Sequence, residues 1–196
     1  VLPGAGFDVV PTDCLAAQLA REMPDATSLV LAFEAGGGPS PGTAKTSVEG
    51  PGNGGRARIN GILTKVPLAW KTRNFERIDA NGTLQQRSAM TIPWGDVYTA
   101  HVTTGIPNIE VYMAASENQI RRMQLPGWVA WLMSKKSVQA FLKHQAGKRV
   151  KGPDDRERAA DEILVYGEAS DEEGCKAVLR LRTPAGYSLT TDPAVT

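Results

Sequence analysis

The stretch VLPGAGFDVVPTDCLAAQLA, residues 1–20, decides how the chain is read, because it has the outline of a strand-to-helix turn that holds a dinucleotide pyrophosphate. That turn needs three small residues in the order G-x-G-x-x-G/A, for a tight turn, for close approach of backbone to pyrophosphate, and for packing of helix on strand. Gly4 and Gly6 meet the first two needs, but the third position is Val9, whose branched side chain would hold the helix off the strand. Pro11 fixes its own φ and disfavours helical geometry at Val10. The spacing therefore predicts a helix from about Pro11 or Thr12, with Thr12 or Asp13 near its N-cap. The stretch reads as a wide glycine-rich turn and a capped helix, not as a nucleotide fingerprint.

Outward from this turn, Leu15, Ala16, Leu19, Ala20 and Met23 recur at helical spacing over 12–23, and Pro24 ends the helix. TSLVLAFEA (27–35) suits a short buried strand. Residues 36–55 hold eight glycines and three prolines and read as a loop. A literal G-x-G-x-x-G at Gly50, Gly52 and Gly55 is followed by polar RARINGILTKV where an apolar helix is required, so it is set aside. Within the loop, GTAKTSVEG (42–50) is either an ordinary capped turn or a short helix with Thr43 as N-cap, whose free N–H groups would suit an anion.

Strands joined by turns follow: ARING, ILTKVPLAWKT, a turn at DANGT around Asn81-Gly82, and QRSAMTIPW. WGDVYTAHVTTG (94–105) reads as a short helix and IPNIEVYMAA (106–115) as a strand with Ile109, Val111 and Met113 on one face. Residues 118–149 read as helical. EILVYGEAS and CKAVLRLRTP read as a hairpin across DEEG. Hairpins outnumber crossovers, which argues an α+β fold: a mixed, largely antiparallel sheet with helices packed on one face. The chain is expected to form one domain over 1–196, with 118–160 as a helical insertion.

With 22 Lys and Arg against 21 Asp and Glu, a net charge of +1 supplies no general attraction to nucleic acid. Cys14 and Cys175 form no C-x-x-C pair, and Cys14 is expected to be a buried helix residue with a free thiol. No apolar run reaches the ~18 residues of a span and no signal-peptide pattern is present, so a cytoplasmic setting is expected. The start on VLPG, without an initiator methionine, suggests a piece of a longer protein.

Several residues are candidates for chemistry. Asp8 lies in the turn and Asp13 at the helix start, where the dipole favours a carboxylate. PWGDVYTAH gathers Trp94, Asp96, Tyr98 and His101. On a helix Trp94, Tyr98 and His101 share a face that would serve as proton donor and apolar wall. The alternative makes Trp94 and Tyr98 core aromatics and Asp96 a cap. His101 and His144 are the only histidines, neither at metal-ligand spacing, and hydrolase and P-loop motifs are absent. LPGWVAWLMSKKSVQAFLKHQAGKRVK (125–151) combines an apolar stripe of Trp128, Trp131, Leu132, Val138, Phe141 and Leu142 with six positive charges. Such a helix either packs on the sheet, with its basic face paired to DDRERAADE (154–162), or lies on a membrane surface or over an acyl chain. The packed arrangement, with both tryptophans mostly buried, is the expectation carried forward.

GFDVVPTD followed by an apolar helix, GTAKTSVEG, and IPWGDVYTAHVTTGIPNIEVYMA together resemble the saccharopine dehydrogenase-like oxidoreductases, including trans-acting enoyl reductases of bacterial lipid synthesis. The resemblance covers most of residues 1 to about 115 and fades through 118–175. It implies the second, C-terminal domain of an NAD(P)-dependent reductase whose Rossmann domain lies upstream, with a sheet that covers the active site and mediates a homodimer. It further implies Gly4, Gly6 and Phe7 beside the nicotinamide. From the residues themselves, Thr43, Lys45, Trp94 and Asp96 are the candidate contacts of a small-molecule or acyl substrate, and Asp8, Tyr98 and His101 the candidate catalytic residues. Alone, the chain is expected to be inactive and to bind no cofactor. The rival reading is a non-catalytic lipid- or membrane-associated, or oligomerisation, module.

Overall fold

The protein is described from a computed structural model over residues 6–35, 54–78, 82–124, 126–133, 135–140 and 162–184. Its first helix, α1 (Val10–Glu22), begins one or two residues before the expected start and has no side-chain cap. Pro11 falls in the first turn, where its missing N–H is an orphan in any helix, so its cost there is small. Thr12 and Asp13 are inside the helix and spend their side chains elsewhere.

Eight strands form one sheet: β1 (Ser28–Ala35), β2 (Gly55–Ile59), β3 (Ile62–Val66), β4 (Thr72–Ile78), β5 (Leu84–Thr91), β6 (Asn108–Ala114), β7 (Glu162–Ser170) and β8 (Lys176–Pro184). The main path runs β3-β2-β6-β1-β7-β8, and β5 also pairs β6, with β4 beyond it. Only β1 and β6 are parallel, and the other pairings are antiparallel. This is the expected α+β architecture. The parallel partners β1 and β6 are separated in sequence by β2 to β5 and by α2 (Asp96–Thr104).

Alternation along β1 sorts the two faces. Leu29, Leu31 and Phe33 point to the helices and join Leu15, Ala16, Leu19, Val97, Ala100, Ile109, Val111 and Val165 in the main core. Gly167 on β7 lets α1 approach: a Cβ there would stand 2.7 Å from Leu19 Cδ1 and 2.9 Å from Leu15 Cδ2. Cys14 is on the outer side of α1 and is exposed, as is Cys175, which corrects the expectation of a buried thiol.

The opposite face is covered by the chain's own hairpin. In the sheet order β4 and β7 are separated by β5, β6 and β1, yet the rings of Phe75 and Tyr166 are 4.8 Å apart and Arg73 bonds Glu168. The β4–β5 hairpin must therefore curl back over the sheet. Phe75 there also meets Tyr112, 5.4 Å away, and with Ala32 and Ala89 they form a second, small core.

The expected helical run over 118–149 is interrupted. α3 (Glu117–Met123) starts on a Ser116–Gln119 capping box, and α4 (Gly127–Met133) starts afresh after Pro126. Trp128 is 71% and Trp131 61% exposed, with Lys135 Nζ 4.0 Å above the Trp131 ring. The expected burial of the two tryptophans against the sheet is corrected: a helix of seven residues after a proline break lacks the length to lay a continuous stripe on it.

Candidate functional site

The opening turn is held by local hydrogen bonds, Val9 N–H to the Phe7 carbonyl at 2.9 Å and Val10 N–H to the Gly6 carbonyl at 3.1 Å. Val9 takes φ 122°, which a β-branched residue adopts only when its surroundings impose it. The constraint is visible: the turn carrying Trp94 and Gly95 presses against it. A Cβ at Gly95 would stand 2.6 Å from Val9 Cγ1, so this contact requires glycine.

Two chain segments far apart in sequence thus bring Gly6, Phe7 and Asp8 beside Trp94, Gly95 and Asp96. Phe33 stacks between them, 5.6 Å from Phe7 and 4.8 Å from Trp94. Asp8 stands exposed at the edge. The protein on its inner side pushes its carboxyl up, opposed by a hydrogen bond from the Gly95 backbone. Asp96 is wholly buried. Burial pushes its carboxyl up to about 7, the Thr12 hydroxyl acts against that shift, and the charges of Asp13 and Asp8 reinforce it.

Thr12 Oγ1 lies 2.9 Å from Asp96 Oδ2 and 3.1 Å from the Val9 carbonyl. A hydroxyl has one proton, and the carbonyl can only accept. With Asp96 neutral, its O–H donates to Thr12 and Thr12 donates to Val9; with Asp96 ionised, Thr12 must turn its proton to the carboxylate. Asp96 Oδ1 has no partner from another residue, and Asp13 Oδ1, Trp94 Nε1 and Thr99 Oγ1 are also buried without one among the described residues. Asp13 Oδ2 accepts from Thr103 at 2.7 Å.

Tyr98 and His101 do not join this group. α2 begins at Asp96, so Trp94 precedes the helix and packs inward on Phe33, whereas Tyr98 is 61% exposed on the outer side with Val102. The expected shared face of Trp94, Tyr98 and His101 is corrected on that ground. His101 is half-buried, its Nδ1 2.9 Å from the Ile106 carbonyl, which can only accept and so assigns the proton to Nδ1. Gly4, Thr43 and Lys45 lie outside the described residues.

The residues here do not fit the pyrophosphate of a dinucleotide. The N–H groups of Val9 and Val10 are spent inside the turn, and three carboxylates surround the helix start. In this turn the N–H groups of Val9 and Val10 are thus not free for a phosphate. Among the described residues no cluster of metal-ligating side chains occurs.

A concavity that the sequence reading missed lies on the other face, beneath the β4–β5 hairpin. It is about 260 Å³ in volume, with Ala32, Phe75, Ala89, Ala114 and Tyr166 among its walls and Glu34, Arg77, Arg87, Arg180 and Arg182 at its rim. Alternate arginines in Arg180-Leu181-Arg182, and arginines on both arms of the hairpin, were its only sequence signal. Nearby, Glu168 accepts from Arg73, Tyr166 and Lys176. Burial alone would raise its carboxyl, but these bonds outweigh that and hold it at about 2.

The arrangement defines a mixed α+β sheet domain with a strained turn packed on a helix start. No protein-family model matches the chain, and no curated protein matches it. Among solved structures it is similar to apo histidine-tagged saccharopine dehydrogenase (L-Glu forming) from Saccharomyces cerevisiae, with a TM-score of 0.50 and 9% identity over 96% of this chain. The match spans 62% of that enzyme's chain. At this identity the likeness is one of fold, and the chain has a distant saccharopine dehydrogenase-like fold. Among the described residues no helix is long and apolar enough to cross a membrane.

Proposed function

We propose that this chain is the substrate-facing domain of a saccharopine dehydrogenase-like, NAD(P)-dependent oxidoreductase, with the dinucleotide held by a Rossmann domain outside it. The observation that carries the reading is the junction of Gly6–Asp8 with Trp94–Asp96: a strained Val9, an aromatic wall, and a buried carboxyl titrating near neutrality beside an exposed one. Perturbed carboxyls paired in this way are a mark of proton-handling sites. Asp8 is the carboxyl that reaches a bound molecule and exchanges a proton with it. Asp96 acts from behind as a positioning residue, and Phe7 and Trp94 exclude water. The dinucleotide supplies hydride chemistry when bound; the described residues hold none of its phosphates. A small-molecule or acyl substrate, a relation to trans-acting enoyl reductases, a homodimer and a cytoplasmic setting belong to the same proposal.

Titration of NADPH fluorescence with this chain tests the division of labour. No saturable signal in the micromolar range is expected, and a clear one would overturn the placement of the cofactor site elsewhere. The coding sequence upstream of Val1 is expected to encode a G-x-G-x-x-G between a strand and a helix; a different upstream segment would overturn the class.

One observation favours a second reading, a lipid- or membrane-associated module: the exposed Trp128, Trp131 and Leu132 on α4, with Lys135 beside them.

A further inference from the structure

We propose that the cleft beneath the β4–β5 hairpin binds a small organic carboxylate with an apolar body. This inference needs only the cleft and stands apart from the reductase reading. The cavity exists because alanines sit where the curled hairpin faces the sheet: Ala89 and Ala114 are opposite one another on β5 and β6, and Ala32 lies opposite Tyr112 on one side and Tyr166 on the other. Larger residues at these three positions would fill it. Phe75 and Tyr166 complete an aromatic wall, and the walls carry few polar groups below the rim.

The rim is cationic beyond the need of the fold. Arg77 Nη1 and Arg87 Nε converge on the same oxygen of Glu34, at 3.0 and 3.2 Å, so two guanidiniums share one carboxylate atom. Arg77 Nε is buried without a hydrogen-bond partner among the described residues. Arg180 meets Glu76 at 3.4 Å and Arg182 meets Glu162 at 3.8 Å, both half-exposed pairs. Among the described residues Arg77 and Arg87 thus share one carboxylate oxygen between two guanidiniums. A planar carboxylate matches the guanidinium fork of such a pair. The apolar walls ask for an aliphatic or aromatic body behind the charged head.

The test is an amide NMR titration of the chain with hexanoate, hexanol and inorganic phosphate at one pH. Hexanoate is expected to give saturable shifts at residues 32–34, 87–89, 114, 164–166 and 180–182, at least tenfold tighter than either control. Arg87→Gln should weaken hexanoate binding tenfold or more, and Ala114→Leu, which fills the cavity without touching charge, should abolish it. Should Arg87→Gln lose native dispersion, Arg180→Gln takes its place. Absence of saturation by hexanoate, equal binding of hexanol or of phosphate, or unchanged binding by the arginine and alanine variants would each overturn the proposal.

Discussion

Replacing Asp96 by asparagine probes the buried carboxyl directly. In the unfolded chain this group titrates near 3.8, and in the folded protein near 7, because it is wholly buried beside Asp8 and Asp13. Between those values the folded state keeps a proton that the unfolded state has lost, so stability falls as pH rises and levels off above the folded value. A shift from 3.8 to about 7 corresponds to about 4 kcal/mol in full, most of which is lost between pH 5 and pH 8. The asparagine side chain is isosteric with the carboxyl, can bond Thr12 and does not titrate. Urea unfolding of both proteins across this range should show the stability of Asp96→Asn gaining on the original by about 3 kcal/mol from the acid to the alkaline end. Parallel curves over the whole range would refute the assignment of a neutral buried Asp96, and with it the donation of its O–H to Thr12.

Glu168→Gln addresses the opposite case. The Glu168 carboxyl is held at about 2 against 4.5, so it contributes about 3 kcal/mol that is complete above pH 4.5 and lost as pH falls towards 2. Unfolding curves of the variant should lack this acid limb, and retention of the limb would place it on another group. For α4, anionic vesicles at low salt should shift the emission of Trp128 and Trp131 to the blue, with Lys135→Glu and salt both reversing it; unchanged emission removes the membrane-surface reading. The β8 edge exposes backbone and the side chains of Val178 and Leu181, so light scattering should report a dimer. A strictly monomeric mass at high concentration counts against it.

Periodicity along the chain was enough to place most elements. The two-residue alternation of 106–115 and of 162–184 marked strands, the spacing of Leu15, Ala16 and Leu19 marked a helix, and the prevalence of hairpins implied a largely antiparallel sheet. Val9 in the third glycine position was likewise legible, because a branched side chain at one place in one motif is a local fact. The helix start was misplaced by one or two residues, because a rule about Pro11 cannot see the contact of Gly95 with Val9 that holds the turn. Nor could local spacing find that Trp94 turns inward before α2 begins, or that α4 leaves its tryptophans in solvent.

The site depended wholly on contacts between distant residues. Asp96 is an ordinary carboxylate in sequence and becomes a neutral-range acid only when α1 and α2 cross and bury it against Thr12. Arg77, Arg87, Arg180 and Arg182 are arginines on three strands, β4, β5 and β8, and they meet only because the β4–β5 hairpin curls across the sheet. Local order follows from side-chain size and spacing, which the sequence states outright, so by itself it determined most of the elements and the class of sheet. Desolvation and charge convergence depend on what lies within a few ångströms in space, and only the tertiary structure decided where those carboxyls are buried and where those arginines meet.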